Sequence, residues 1–391
     1  MINFDANANH TLLPEVREAL RRFPKDALNP SSVHRGGQRA RALVEEAREE
    51  IRQLLNLTPG DKVVFTSGAT EANNTAVLAP FWKYFAKSRG VEPLGNPAIV
   101  SSAIEHPSVL EPIKRLGRMG IKSALLSPNQ NGSFEAGAFL SACSTETKLL
   151  SLMLANNETG QILDVAAITR AVKAKFPGLI VHCDAVQAVG KLKFEFSALG
   201  TDLMSISAHK LGGLAGSGAL IIKEGLQSEA LLCGGVQELG LRAGTENVLG
   251  IVAFGVAARV LRQKLSENIT ALQQNRDFLV HYLRENIADA VFNLYGPACL
   301  PNTVSLRIPA IKADDLVVAL DLEGVCTASG AACAAGKPEP SHVLLAMGLS
   351  REQAASTIRI SLEACYRPGD LELGARKIVE CVKRMRRPRN N

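Results

Sequence analysis

From position 40 onward, Ala40, Leu43, Val44, Ala47, Ile51, Leu54 and Leu55 recur at the three-and-four spacing of one helix face. The run 61–66, Asp-Lys-Val-Val-Phe-Thr, then reads as a strand. Further strand-like runs fall at 98–102, 148–155, 179–184, 203–207 and 218–222, and helical patterns separate most of them, near 70–87, 107–118, 164–175 and 246–264. Short apolar runs alternating with amphipathic helices predict βαβ units, hence an α/β fold with a mostly parallel sheet covered on both faces. Beyond about 265 the pattern changes. A long amphipathic helix leads to a shorter α/β stretch over 303–385, which predicts a second domain.

Composition narrows the class without naming it. The 391 residues are 46% hydrophobic and 21% charged, ordinary for a soluble globular chain and too apolar for a disordered one. At roughly 100–200 residues per domain the length suggests two or three domains. No apolar run reaches the roughly 18 residues of a membrane span, and Met1-Ile-Asn-Phe-Asp5 lacks the basic start of a secretory signal. The net charge of +6 includes the tail from Lys383 to Arg389, which reads as a solvated helix end rather than a nucleic-acid contact. Eight cysteines in a chain this long, with no C-x-x-C pair and no zinc spacing, predict reduced thiols and a cytoplasmic setting.

In open α/β sheets the chemistry gathers where strands end. After the first strand comes Ser67-Gly-Ala-Thr-Glu-Ala-Asn-Asn74, where small residues and hydroxyls at a helix start suit an anion, though an ordinary cap by Thr70 or Ser67 also explains them. Glu105-His-Pro107 and Leu154-Ala-Asn-Asn-Glu-Thr-Gly160 follow later strands, and taken singly each is adequately a turn or helix start. Val181-His-Cys-Asp-Ala-Val-Gln187 is sharper, because a carboxylate closing a buried strand is costly unless it meets a cation or a donor. The next strand closes in Ser205-Ile-Ser-Ala-His-Lys210. A lysine for a Schiff base, a carboxylate for a pyridinium nitrogen and helix amides for a phosphate are the requirements of pyridoxal phosphate as an electron sink. Cys333 lies among small residues between Gly330 and Gly336, an exposed thiol rather than a core one, whereas Cys326 in Gly-Val-Cys-Thr reads as core. Arg359, in the alternating run Thr357-Ile-Arg-Ile-Ser-Leu362, suits either a substrate carboxylate or a structural salt bridge.

Taken in order, these segments resemble the class I cysteine desulfurases of the NifS/IscS type. The likeness runs from Asn3-Phe-Asp5 to the final helix. It is carried by Asn29-Pro-Ser-Ser-Val-His34, Thr66-Ser-Gly-Ala-Thr-Glu-Ala-Asn-Asn74, Ile104-Glu-His106, Asn156-Asn-Glu-Thr-Gly160, Asp184-Ala-Val-Gln-Ala-Val-Gly-Lys191, Ser207-Ala-His-Lys210, Arg242-Ala-Gly-Thr-Glu-Asn247 and Glu339-Pro-Ser-His342. The resemblance implies an aminotransferase-like fold of type I, with a mostly parallel seven-stranded sheet in a large domain, 16–264, and a small domain built from 1–15 with 265–391. It also implies a homodimer.

By matching motif, the resemblance makes Lys210 the Schiff-base lysine and pairs Asp184 with the pyridine nitrogen. Gln187 and Asn157 lie near the ring hydroxyl and His106 stacks on the ring. Ala69, Thr70, Ser207 and His209 hold the phosphate, and Thr245 reaches the phosphate of the partner subunit. Arg359 and Asn157 contact the substrate carboxylate, and Cys333 receives the sulfur. The chain departs from the family pattern at Ala332, at Asn9-His10, in Gly212-Gly-Leu-Ala-Gly216 and at Glu363.

The expected reaction converts L-cysteine to L-alanine, with sulfur passing to Cys333 as a persulfide and then to an acceptor protein. That acceptor serves iron–sulfur cluster assembly or thiolation of a cofactor or nucleic acid, with no direct nucleic-acid or membrane contact by this chain. The alternative is a selenocysteine lyase or another pyridoxal-dependent lyase on the same scaffold. A non-catalytic scaffold is disfavoured by the retention of both Lys210 and Asp184.

Overall fold

In the computed structural model, the chain is described over residues 1–26, 29–86, 96–129, 132–330 and 339–387. Seven strands form the central sheet: β1 (Lys62–Thr66), β2 (Ala98–Ser102), β3 (Lys122–Leu126), β4 (Thr147–Met153), β5 (Ile180–Asp184), β6 (Leu203–Ser207) and β7 (Gly218–Ile222). Their order across the sheet is β1-β7-β6-β5-β4-β2-β3. Only β7 runs against the others, pairing antiparallel with both β1 and β6. The expected parallel sheet is therefore present.

β3 escaped the hydrophobic pattern for a physical reason. It is an edge strand, Lys-Ser-Ala-Leu-Leu, with no residue buried, so nothing required an apolar run. Inner strands show the opposite: β6 and β7 are buried at every position, as strands covered on both faces must be.

Two helix patterns expected to separate near 265 are one continuous helix, Val248–Asn286, of 39 residues. Its buried residues stop at Leu261 and resume at Leu272. Ile251 through Leu261 join the core under the large sheet, together with Val44, Ala47 and Ile51. Leu279, Val280 and Leu283 join a second core with Ile2, Phe4, Leu306, Ile358 and Ile378. The change of pattern thus marks a solvent-exposed span between two cores, crossed without a break in the helix.

Around the second core, four short strands pair antiparallel in the order Ala328–Ser329, Thr357–Ser361, Thr303–Arg307, Val291–Phe292. Ile2–Asn3 adds in parallel to Val325–Cys326. Cys326 sits in a strand as expected but is only half-buried, because that two-stranded ribbon is covered on one side. The basic tail ends the helix Asp370–Arg386, where Arg384 pairs with Glu323 and Arg386 with Asp289; positions 388–391 lie outside the described residues. No helix among the described residues is long and apolar enough to cross a membrane.

The long helix meets Arg35–Leu55 at close quarters. A Cβ on Gly255 would stand 2.5 Å from the Cα of Ala47, whereas one on the exposed Gly117 would meet nothing within 4 Å. Opposite signs are therefore expected in urea unfolding. Gly255→Ala lowers stability by about 1–3 kcal/mol through overpacking. Gly117→Ala, inside the helix Pro107–Arg118, raises it by about 0.5–1 kcal/mol.

Candidate active site

The parallel strands all deliver their C-terminal ends to one edge of the sheet, and antiparallel β7 brings its first residue, Gly218, to the same edge. A cavity of about 620 Å³ opens there. Its walls include Ala69 and Thr70 after β1, His106 after β2, Asn157 after β4, Asp184 and Gln187 at and after β5, His209 and Lys210 after β6, and Arg359 from the second core. Of the expected site residues, Ser207 is buried behind His209, its Oγ 2.9 Å from Nδ1 of that ring. Thr245 is exposed and outside the cavity wall of this chain. Cys333 and Ala332 lie outside the described residues.

Asp184 ends β5 only 5% exposed. Its Oδ1 accepts the N–H of Val186 at 3.0 Å, and its Oδ2 accepts Asn73 Nδ2 at 2.8 Å. No lysine or arginine pairs with it among the described residues, so two neutral donors alone meet a desolvated anion that faces the cavity. A protonated ring nitrogen is the cation this arrangement suits.

Asn73, which the sequence presents only within the motif Thr66–Asn74, joins two functional groups. The same Nδ2 donates to Ser108 Oγ at 2.8 Å, and Ser108 Oγ lies 2.7 Å from His106 Nδ1. Because the Ser108 backbone N–H also donates to Nδ1, at 3.1 Å, that nitrogen is an acceptor and the neutral ring carries its proton on Nε2. Burial lowers the His106 pKa, the Asp184 charge opposes that shift, and Lys210 and His342 add to it.

At the opposite end, Ala69–Leu78 begins at Gly68 with no side-chain cap, so the amides of its first turn are available to an anion. A Cβ on Gly218 would stand 2.6 Å from the carbonyl carbon of Gly68 and 2.8 Å from Ala69 N. Glycine is required there to let the strand pass under this turn. His209 completes this end, its pKa lowered to about 4 by burial and then by Lys210, so it is neutral at pH 7.

Lys210 Nζ donates to the carbonyls of Asn7 and Ala8, both at 2.6 Å. Asn7 is the residue that pattern reading missed, since no charge or motif spacing singles out an asparagine near a chain terminus. Its carbonyl also accepts Gln187 Nε2 at 3.0 Å, and its Nδ2 donates to Thr303 Oγ1 and to the carbonyl of Asn157. It thereby ties the large sheet to the second core across the cavity floor. Arg359 combines the two readings left open for it. One Nη pairs with Asp5, another donates to the Asn157 carbonyl at 3.3 Å, and Nε has no partner among the described residues. Two departures from the family pattern also meet here, with His10 Nδ1 3.9 Å from Glu363 Oε1 while that oxygen accepts Thr11 N and Asn3 Nδ2.

Comparison with known proteins agrees with this geometry. The sequence profile of the family described as Aminotransferase class-V matches residues 2–372, so the chain belongs to the class-V aminotransferases, a family of pyridoxal-phosphate enzymes. Within that family it groups with the class I cysteine desulfurases. It is 34% identical over 388 residues to the cysteine desulfurase IscS of Dictyoglomus turgidum, covering 98% of this chain and 95% of that one. A solved NifS-like protein superposes with a TM-score of 0.88 at 33% identity, covering 98% and 99% of the two chains. A structure titled SspA in complex with cysteine superposes with a TM-score of 0.79 at 29% identity, covering 94% and 100%.

Glu105 and Glu158 lie buried beside the cavity. Burial raises Glu105 from 4.5 to about 8, although Ser102 Oγ and Met153 N both donate to its Oε1; its Oε2 has no partner among the described residues. Glu158, hydrogen-bonded by Ser341, is raised by burial to about 7. The folded protein holds a proton on Glu105 that the unfolded chain releases near 4.5, so this residue lowers stability progressively as pH rises from about 4.5 to 8. Glu105→Gln, which copies the protonated form, is expected to have a higher urea midpoint than the parent at pH 8.5, with the gap narrowing towards pH 5.

Proposed function

We propose that the protein desulfurates L-cysteine, releasing L-alanine and retaining the sulfur on Cys333 as a persulfide for delivery to an acceptor protein. One observation carries the reading: the carboxylate of Asp184 and the amine of Lys210 close neighbouring strands and face one cavity. In the cavity, the amides of Ala69 and Thr70, with His209 backed by Ser207, would hold the phosphate. Asp184 would meet the ring nitrogen, Gln187 and Asn157 the ring hydroxyl, and His106 the ring face. When bound, pyridoxal phosphate supplies a sink for the electron pair left as the substrate α-proton departs.

The remaining steps belong to side chains. Lys210 Nζ, steered by the Asn7 and Ala8 carbonyls, takes the α-proton and returns it. Arg359, braced by Asp5, presents its remaining N–H groups to the substrate carboxylate. His106 exchanges a proton with the substrate sulfur through Nε2. The thiolate of Cys333 attacks that sulfur, an S–S bond forms, the carbon–sulfur bond breaks, and the carbon skeleton is protonated and leaves as alanine.

We assign residues 16–264 to a cofactor-binding domain and 1–15 with 265–391 to a small domain carrying Cys333; the second core supports this, although Leu300, Val343 and Met347 pack into the first. A homodimer is supported by Leu232, Val236, Leu239 and Leu249, which expose apolar side chains near Thr245. In such a dimer the exposed Thr245 would reach the phosphate of the partner subunit. A cytoplasmic setting accords with the thiols.

The holoenzyme is expected to yield one alanine per L-cysteine consumed. Cys333→Ala abolishes protein-bound persulfide while leaving the visible absorbance intact. Sulfide with pyruvate as the main products would replace this reading by that of a lyase. Turnover at the parent rate in Cys333→Ala would remove the role of the thiol.

A further inference from the structure

Lys191 is buried, 5% exposed, and the catalytic scheme above makes no use of it. It follows Gln187 by four residues along a run of turns and does not line the cavity itself. Its Nζ donates to Gln187 Oε1 at 2.6 Å and to Asn7 Oδ1 at 2.9 Å. A buried amine among such neighbours is costly: burial first, then the charges of Lys210 and Arg359, push its pKa well below the ordinary lysine value. A methionine would fill the same space without that cost, so the N–H groups themselves are what this position supplies.

What they supply is an orientation. An amide side chain can be turned over at almost no steric cost, and only its partners decide which end faces where. Gln187 has its carbonyl committed to Lys191 and one N–H committed to the Asn7 carbonyl, which leaves the second N–H for the cavity that Gln187 lines. Without Lys191, Gln187 Oε1 loses its donor, and turning the amide to regain one would aim a carbonyl at the ring hydroxyl. Asn7 is less exposed to this change, because Asn302 Nδ2 also donates to its Oδ1 at 3.1 Å.

We propose that Lys191 is a positioning residue for the cofactor ring: by occupying the Gln187 carbonyl it commits that amide to present an N–H to the ring oxygen. This rests on the placement of Gln187 beside the ring hydroxyl. A donor there favours the ionised oxygen and lowers the pH at which the visible band of the holoenzyme changes. Glu71, His106, Glu158, Asp184, His209, Lys210, His342 and Arg359 face the same cavity and are common to every variant, so their influence cancels in the comparison.

The test is a pH titration of the visible absorbance in four holoenzymes. Lys191→Met and Gln187→Met each raise the midpoint by about one pH unit, the effect of one hydrogen bond to the charged form. The double variant matches Gln187→Met alone, because Lys191 acts through that amide. An unmoved midpoint in Lys191→Met overturns the proposal, as does a double variant whose shift is the sum of the two. An unmoved midpoint in Gln187→Met overturns the placement of Gln187 itself, and the proposal with it. Where Lys191→Met gives no folded holoenzyme, Lys191→Gln keeps a neutral donor of similar reach. The parent midpoint in that variant supports the assignment, and a shift equal to that of Gln187→Met overturns it.

Discussion

Asp184 surrenders most of its water at the end of β5, and the energetic penalty of that withdrawal organises the groups around it. Two neutral donors, Val186 N and Asn73 Nδ2, satisfy part of its hydrogen-bonding capacity and neutralise none of its charge. The unmet remainder faces the cavity, where a protonated ring nitrogen would meet it. Asn73 passes the same constraint to His106 through Ser108, so the carboxylate and the imidazole are aligned by one amide.

A second constraint is mechanical. The cavity lies between two cores, and residues from both must hold their places to a fraction of an ångström. Asn7 spans the gap with both ends of its amide and its carbonyl engaged, touching Thr303 and Asn302 on one side and Lys191, Gln187 and Lys210 on the other. Arg359 crosses in the opposite sense, from the second core to the Asn157 carbonyl. Glu363 gathers Asn3 and Thr11 onto one oxygen and so secures the segment on which Asn7 sits. The N-terminal segment thereby helps to wall the cavity, although Asn7 lies 150 residues from Asn157, the nearest strand-end group it touches.

Periodicity made the architecture legible where strands are buried on both faces. The runs at 203–207 and 218–222 match β6 and β7 at both ends, because complete burial demands uninterrupted apolar sequence. It failed at β3, whose edge position needs none, and at the 39-residue helix, whose middle crosses solvent and so mimics a boundary. The cavity wall was legible in the same terms. Asp184 ends a strand and Lys210, His106, Ala69 and Thr70 each follow one, and a parallel sheet sends all such positions to one edge. Asn73, Ser108, Asn7, Asp5 and Lys191 leave no such trace, since a lone polar residue carries no periodic signal of what it touches.

The alternation of buried strands with helices, the groups placed at strand ends and the cofactor those groups suit are determined by the sequence itself, because burial and backbone geometry act locally and leave a repeating trace. The orientation of the Gln187 amide, the tautomer of His106, the bracing of Arg359 by Asp5 and the meeting of His10 with Glu363 were decided only in the tertiary structure. Each depends on hydrogen-bond partners from elements far apart in the chain, and a hydrogen bond exists only within a narrow range of distance and angle that no local pattern encodes.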